Sequence, residues 1–236
     1  KGCDRVPTRL RPNILIFQTD QEQGAVVTRG HPCTTPNADR LAREGLRFTR
    51  AYTIAAHCCP SRATFMSGLY PSRHGIYNNV LNTAAIHTSL EPGARLFSEV
   101  LAEAGYALAY AGKWHVCADE GPEDRGWLPY LVTSVGGQDY HGITWAGWRE
   151  RARTPEPDLP RGRGEVLRPG WGRLRLYGTA EAAPEAAPYA LGDYAIVQAG
   201  LRALEELSAR EQPWCLYIGP NGPHDPYVIP EHYARM

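Results

Sequence analysis

Residues 13–19 read Asn-Ile-Leu-Ile-Phe-Gln-Thr and end on Asp20. A continuous apolar run of this length is typical of a strand that is buried on both faces of a parallel sheet. Proteins built on such sheets bind ligands at the carboxyl ends of the strands, which is where Asp20 would lie. On this segment alone, a helix N-cap or a turn explains the Asp equally well.

Helical and strand patterns alternate on the carboxyl side of this run. Thr35, Pro36 and Gly45 suit the N-cap, the first position and the end of a short helix at 36–45. The other predicted elements are strands at 46–53, 106–112 and 214–219 and helices at 60–69, 96–104 and 190–210. In the last helix, one face is marked by Tyr194, Val197, Leu201, Leu204 and Ser208. The alternation predicts an α/β fold with a mostly parallel sheet and helices on both faces.

Residues 118–190 interrupt this alternation, because they are rich in Gly and Pro and show no sustained periodicity. We expect a long insertion in the α/β scaffold over this stretch. Its basic part, at about 149–175, leaves two alternatives open: a solvated loop or a lid over a binding site.

The composition excludes several functional classes. Lys+Arg and Asp+Glu each number 25, so the formal net charge is zero, which argues against bulk electrostatic attraction to nucleic acid or to an anionic membrane. No apolar run approaches the roughly 20 residues that span a bilayer. The chain begins at Lys1 and shows no apolar signal segment, but such a segment is removed on export, so the sequence leaves the compartment of this soluble protein open between cytoplasmic and exported with its signal removed. Six cysteines without a CxxC pair indicate neither a zinc ribbon nor a disulfide scaffold.

The most informative stretch is His-Cys-Cys-Pro-Ser-Arg at residues 57–62. Pro60 suits the first turn of a helix, which would place Cys58 beside unpaired backbone N–H groups and the positive end of the helix dipole. Such a position binds sulfate or phosphate and lowers the pKa of a thiol, and Arg62 adds a fixed positive charge nearby. The alternative is a buried pair of cysteines ahead of an ordinary helix.

Cys58 to Arg62 resembles the C-x-P-S-R signature of the type I sulfatases, the formylglycine-dependent members of the alkaline phosphatase superfamily. The continuations Ala-Thr-Phe-Met-Ser-Gly at 63–68 and Pro-Ser-Arg-His-Gly at 71–75 are similar to the family as well. The resemblance extends to about residue 116 and resumes at about 190–226. It implies an alkaline-phosphatase-like fold, a three-layer α/β/α sandwich.

The resemblance implies that Cys58 is oxidised to Cα-formylglycine by a formylglycine-generating enzyme. The hydrated aldehyde would attack the sulfur of a sulfate ester, and its second hydroxyl would then expel sulfate. Arg62 would steady this diol and a metal-bound oxygen, whereas Cys59 occupies the variable position of the signature. The substrate would be a small sulfate ester, with sugar, aryl and choline sulfates all open.

The resemblance also implies a divalent cation held by Asp20 and Gln21, together with the group derived from Cys58. Oxygen ligands of this kind suit Ca²⁺, with Mg²⁺ and Mn²⁺ as alternatives. Gln21 departs from the more common Asp-Asp pair and removes one negative charge, and as an alternative it is a plain loop residue.

Two further elements match the family in order along the chain. Lys113 and His115, in Gly-Lys-Trp-His at 112–115, would bind the sulfate and assist the nucleophile or leaving group. His224 follows Pro223 and would protonate the leaving group. Taken alone, the Lys-x-His pair would be a surface pair and His224 a turn histidine.

The resemblance predicts that residues 1–236 are the N-terminal part of a sulfatase catalytic domain, because the family's remaining metal ligands and second lysine lie further downstream. Three alternatives remain. The first is a phosphonate or phosphate monoester hydrolase of the same superfamily, which shares the Asp-Gln pair but tends to lack the Lys-x-His pair. The second is a non-catalytic sulfatase-like module. The third is a zinc site with His31, Cys33, His57 and Cys58, whose spacings fit no standard pattern.

Overall fold

The structure, a computed structural model, covers the central sheet and its helices. It describes residues 11–27, 30–80, 82, 84–134, 192–224 and 233, with the backbone of five short strands at 153–154, 165–168, 172–175, 177–180 and 227–230. Most of the predicted insertion, including most of its basic part at 149–175, lies outside the described residues.

Along the described chain, the first strand is followed by a group of helices, then by a group of strands, one long helix and two last strands. The helices are α1 (Pro36–Glu44), α2 (Cys58–Ser67), α3 (Pro71–His74), α4 (Phe97–Glu103) and α5 (Asp193–Ser208). The strands are β1 (Ile14–Phe17), β2 (Ala107–Lys113), β3 (Leu128–Thr133), β4 (Arg153–Thr154), β5 (Glu165–Arg168), β6 (Gly172–Arg175), β7 (Tyr177–Ala180), β8 (Trp214–Gly219) and β9 (Tyr227–Pro230).

The central sheet has the strand order β1-β8-β2-β3, and all its pairs are parallel. Gly112 lies opposite Gly219 at the carboxyl ends of β2 and β8. Gly112 has a φ of 124°, and a Cβ there would clash with the carbonyl of Gly219. Glycine is therefore required where the two strands that carry the site approach each other.

Helices cover both faces of this sheet. On one face, Tyr110 and Tyr217 pack against the buried side of α2, including Met66. On the other face, Ala109 and Leu216 pack against α5. The predicted α/β fold with helices on both faces of a parallel sheet is confirmed. None of the described helices is long and apolar enough to cross a membrane.

The expectation that the first strand is buried on both faces is wrong. Ile14 and Ile16 pack against the core, but Leu15 and Phe17 are 52% and 58% exposed. The reason is that β1 is the last strand in the described sheet order, and α5 packs against the other three strands.

The predicted strand at 46–53 is also wrong. This segment is irregular, and Leu46 and Phe48 are mostly exposed. Within the described residues it pairs with no strand, and without a hydrogen-bonding partner a short alternating pattern does not form a sheet.

The inward face of α5 differs from the predicted one. On the predicted face, Tyr194 and Leu201 are 41% and 49% exposed, whereas Leu204 packs against the core. The buried positions are Ile196, Ala199, Gly200, Ala203 and Leu207. The small residues among these allow the helix backbone to lie close to the sheet, and this face is therefore the buried one.

The sheet also continues into the predicted insertion. Leu128–Thr133 forms β3 and pairs with β2, and β4, β5 and β6 form a separate antiparallel sheet. β7 pairs with β9.

Candidate active site

The carboxyl edge of the central sheet brings together residues that are far apart in sequence. Asp20 follows β1, Lys113 ends β2, and His224 lies in the loop after β8. Cys58 is the first residue of α2, which packs against the same sheet. Parallel strands end at one edge, so the fold itself assembles these groups.

Asp20 is the centre of a buried ion triad. Its Oδ2 atom lies 2.9 Å from a terminal guanidinium nitrogen of Arg62 and 2.8 Å from Nζ of Lys113. All three side chains are at most 6% exposed. Burial alone would raise the pKa of the Asp20 carboxyl, but Lys113 and Arg62 outweigh it and lower the pKa to about 2. Asp20 is therefore ionised at neutral pH.

Arg62 is fixed from the sheet side. It donates to the carbonyl oxygen of Lys113 at 2.7 Å and to the hydroxyl oxygen of Tyr217 at 3.2 Å. The Tyr110 hydroxyl donates to the same carbonyl at 2.6 Å, and the Tyr217 hydroxyl donates to the Gln18 side chain. The Tyr110 and Tyr217 rings stack with their centroids 4.5 Å apart. These contacts hold the guanidinium in one orientation.

The Cys58 thiol lies between the negative carboxylate of Asp20 and the positive ammonium group of Lys113. Its Sγ is 3.7 Å from Oδ1 of Asp20 and 3.6 Å from Nζ of Lys113. The expectation of a lowered pKa is wrong. Burial raises the pKa of the Cys58 thiol, and the nearby Lys113 and Arg62 cations offset this only in part, with Asp20 adding to the rise.

Cys59 points away from this site into the core and is fully buried. Its Sγ accepts a hydrogen bond from the Val80 N–H at 3.4 Å. Its own N–H donates to the Asn79 side chain at 3.1 Å, so a loop residue satisfies one of the first N–H groups of α2.

His115 is buried, with a left-handed φ of 48°. Neither ring nitrogen has a hydrogen-bond partner among the described residues. Burial, together with the Lys113 and Arg62 charges, lowers the pKa of His115 to about 3. Its imidazole is therefore neutral at neutral pH and has unused hydrogen-bonding capacity.

His224 completes a group of potential metal ligands. One ligand atom each from Asp20, Cys58 and His224 lies within 4.8 Å of the others. Within the described part of the chain, the alternative set of His31, Cys33 and His57 is not grouped with Cys58.

A cleft of about 440 Å³ opens beside Cys58. Its walls come from the segment after β1, at 18–23, and from the segment ahead of α2, at 53–58. Gln21 lies in this wall with a left-handed φ of 60°, an unusual conformation for a residue other than glycine. The arrangement gives Cys58 a half-buried position with cations on one side and open space on the other.

Comparison with known proteins matches the sequence to a family. The sulfatase family profile matches residues 12–236. The chain belongs to the sulfatase family.

Individual relatives show how much of a sulfatase the chain represents. The choline-sulfatase of Rhizobium meliloti (strain 1021) is 32% identical over 226 residues, which cover 92% of this chain and 39% of that protein. Arylsulfatase A of Bos taurus is 45% identical over 114 residues, which cover 48% of this chain and 22% of that protein. The chain therefore spans less than half the length of either relative.

A solved structure shows the likeness of fold. The phosphonate monoester hydrolase of Agrobacterium radiobacter has a TM-score of 0.61 and 22% sequence identity, over 95% of this chain and 44% of that chain. The fold is thus shared beyond the sulfatases that cleave sulfate esters.

The residues around the sulfatase signature fit a divalent cation by their donor chemistry. Oδ2 of Asp20 faces Lys113 and Arg62, whereas Oδ1 faces Cys58 and is the oxygen on the ligand side. Carboxylate oxygen suits hard cations, and thiol and imidazole suit softer ones.

Sequence reasoning missed several residues that shape this site. Tyr110 and Tyr217 were expected only as strand residues, yet they orient Arg62 and the Lys113 carbonyl. Asp193 and Asn221 were not singled out. Asp193 accepts hydrogen bonds from the loop after β8, and burial raises the pKa of its carboxyl to about 6. The one available signal was an Asp at the start of a predicted helix.

His74, in the short helix that follows the signature helix, has a structural role. Its ring accepts from the Ile76 N–H at 3.1 Å, and its Nε2 lies 3.0 Å from the Thr64 hydroxyl on α2. With Nδ1 accepting, Nε2 carries the proton and donates to Thr64.

Proposed function

We propose that the protein hydrolyses sulfate monoesters and that Cys58 is the precursor of its nucleophile. The observation that carries this proposal is the position of Cys58 in a sulfatase-family chain. It begins α2, with Sγ within 4 Å of a buried carboxylate and a buried ammonium group. The proposed substrate is a small sulfate ester that enters through the cleft beside Cys58.

The nucleophile is the hydrate of a formylglycine formed from Cys58 by a formylglycine-generating enzyme. The raised pKa of the Cys58 thiol supports this, because a protonated thiol is a poor nucleophile at neutral pH. One hydroxyl of the hydrate would attack sulfur and lose its proton, and the S–O bond to the alcohol would break as that alcohol takes up a proton. Loss of a proton from the second hydroxyl to solvent would then break the C–O bond to the sulfate, release sulfate and restore the aldehyde.

The cation would be held by Asp20 and Gln21 with the oxygens of the matured residue 58, and His224 lies beside them. Ca²⁺ suits these oxygen ligands best, with Mg²⁺ and Mn²⁺ as alternatives. When bound, the ion supplies positive charge that polarises the sulfate oxygens. Removal of the ion with a chelator should abolish turnover, and the same ion should restore it.

Two cations and two histidines of this chain act on the sulfate group and on the leaving alcohol. Lys113 and Arg62 place positive charge where negative charge grows on the sulfate oxygens. His115 is neutral, so one ring nitrogen donates to a sulfate oxygen and the other accepts. His224, in the loop facing Cys58, delivers the proton to the departing alcohol oxygen.

Parallel kinetics on three substrates test this proposal. The matured full-length protein is assayed with an aryl sulfate, an aryl phosphate and a phosphonate monoester, and we expect the highest kcat/KM for the sulfate. Lys113→Ala should lower kcat more than it raises KM, because Lys113 acts on charge that grows in the transition state. Arg95→Ala is the matched control, since Arg95 is an exposed cation that pairs with Glu103.

Two results would overturn the sulfatase assignment. A higher kcat/KM for the phosphonate monoester would favour a phosphonate hydrolase. Absence of turnover on all three substrates, with residue 58 matured and the cation bound, would favour a non-catalytic module.

A further inference from the structure

Asp193 binds the loop that carries His224 from outside the site. It is the first residue of α5, and its carboxylate reaches the chain just after β8. Oδ1 accepts the N–H of Asn221 at 2.6 Å, and Oδ2 accepts the N–H of Gly222 at 2.9 Å. Each carboxylate oxygen therefore holds one backbone N–H of the same loop, a pair of charge-assisted hydrogen bonds.

The loop is shaped to receive this carboxylate. A Cβ at position 222 would collide with Oδ2 of Asp193. Gly222 is therefore needed for the close approach, independently of the hydrogen bonds. Asn221 is fully buried, and its side chain accepts from the Thr133 hydroxyl at 3.5 Å, so the loop is held from β3 as well.

Asn221 and Gly222, the two residues that Asp193 holds, are hydrogen-bonded in turn to the backbone of two site residues. The carbonyl of Gly222 accepts the N–H of Asp20 at 3.1 Å, and the carbonyl of Asn221 accepts the N–H of His224 at 3.1 Å. The backbone positions of Asp20 and His224 thus both depend on the segment that Asp193 holds.

We propose that Asp193 is a positioning residue that sets the placement of His224 against Asp20 and Cys58. This rests on the proposed sulfatase function. His224 delivers a proton in that mechanism, so its placement affects the transition state more than the binding of substrate. A displacement of about 1 Å in such a group costs on the order of 100-fold in rate.

The test combines kinetics with hydrogen exchange in the full-length, matured protein. Asp193→Asn replaces one acceptor oxygen with an NH₂ group that cannot accept. We expect kcat to fall about 10- to 100-fold with a much smaller change in KM. Amide exchange should accelerate in the peptide that covers 221–224 and remain unchanged in β2. Glu205→Gln, an exposed acid on the same helix, is the matched control and should leave both readouts unchanged.

Gly222→Ala provides a second, independent variant, because its methyl group excludes the carboxylate. The double variant Asp193→Asn with Gly222→Ala should lose no more kcat than the worse single variant, since both break one contact. Multiplicative losses would overturn the proposal. So would an unchanged kcat in Asp193→Asn, or faster exchange throughout the central sheet, which would show a purely structural role.

Failure of the sulfatase function itself gives a different result. In that case the unmutated, matured protein has no turnover on sulfate esters, and every variant matches it. The positioning proposal fails instead when the unmutated protein is active and Asp193→Asn keeps its kcat.

Discussion

The carboxyl edge of the central sheet and the surface segment at 46–54 both depart from the usual rule that apolar side chains are buried and charged ones are exposed. At the site, Lys113 is fully buried and Asp20 is 6% exposed. In the segment at 46–54, Phe48 is 75% exposed and Leu46 is 79% exposed. One region therefore buries charge, and the other exposes large apolar side chains.

The difference shows that contacts decide burial here more than residue type does. The charges of Asp20, Arg62 and Lys113 satisfy one another in a fixed geometry, which is the condition for keeping charges out of water. Phe48 is apolar, but it packs against no helix or strand among the described residues and stays mostly exposed. Mutations at the two places should therefore differ widely in effect.

The largest effect on turnover is expected at Cys58, which lies beside the buried charges, and its neighbour Cys59 provides the contrast. In the matured full-length protein, Cys58→Ala should abolish turnover, because it removes the precursor of the nucleophile. Cys59→Ala should keep turnover and lose about 1 kcal/mol of unfolding free energy, because Cys59 fills the core. Steady-state kinetics and denaturant unfolding measure the two effects. Equal loss of activity in both variants, with the fold intact, would contradict the distinction.

Removal of the central carboxylate should cost the most stability. Asp20→Asn leaves Lys113 and Arg62 buried without their counter-charge, and breaking such a buried pair costs about 3–5 kcal/mol. Urea unfolding of the two proteins measures the loss. Adding Lys113→Met should recover part of it, because one unpaired cation is then removed. A loss under about 1 kcal/mol would show that the triad is not coupled as described.

The pH dependence of stability should report the buried neutral His115. Its pKa is about 3 in the folded protein and 6.5 as the ordinary value, so the unfolded chain binds a proton in this window that the folded chain does not. This histidine therefore contributes a loss of unfolding free energy as pH falls from about 6.5 towards 3, at up to about 1.4 kcal/mol per pH unit.

His115→Gln isolates this contribution. Asp193, with a pKa of about 6, acts in the opposite direction between about pH 4 and 6, and it is common to both proteins. We expect the stability of the unmutated protein to fall more than that of His115→Gln by about 2–3 kcal/mol between pH 6.5 and 4.5. Parallel pH profiles of the two proteins would refute a buried neutral imidazole.

The smallest effect is expected at the exposed segment. Phe48→Ser should change the unfolding free energy by less than about 0.5 kcal/mol, because the side chain is mostly in water. Met66→Ala, a fully buried side chain on α2, is the contrasting variant and should cost about 2–5 kcal/mol. Similar losses in both variants would show that Phe48 is packed.

The sequence predicted the fold through patterns that depend on local contacts. The strand at 214–219 and the start of α1 at Pro36 were found because apolar runs and caps lie within a few residues of one another. The strand at 46–53 was wrong because strand formation depends on a partner, which an alternating pattern does not reveal. The prediction of the buried face of α5 was wrong in part, because small residues at Ala199, Gly200 and Ala203 let the helix pack closely against the sheet.

The candidate site divides in the same way. Asp20, Cys58 and Lys113 carry motif signals and stand at the ends of predicted elements. Asp193 belongs to no motif, and its position at the start of a predicted helix does not reveal that its partners are the backbone N–H groups of Asn221 and Gly222. The raised pKa of Cys58 was also beyond sequence reasoning, because it depends on how deeply the fold buries the thiol.

The mass of the peptide that carries Cys58 tests the central claim most directly. The full-length protein is produced together with a formylglycine-generating enzyme, confirmed to turn over an aryl sulfate, and digested without reducing or alkylating steps that hide the difference. We expect the Cys58 peptide to be lighter by the difference between a CH₂SH and a CHO side chain, with Cys59 still a thiol. A fully active preparation in which residue 58 is an unmodified cysteine would contradict the account.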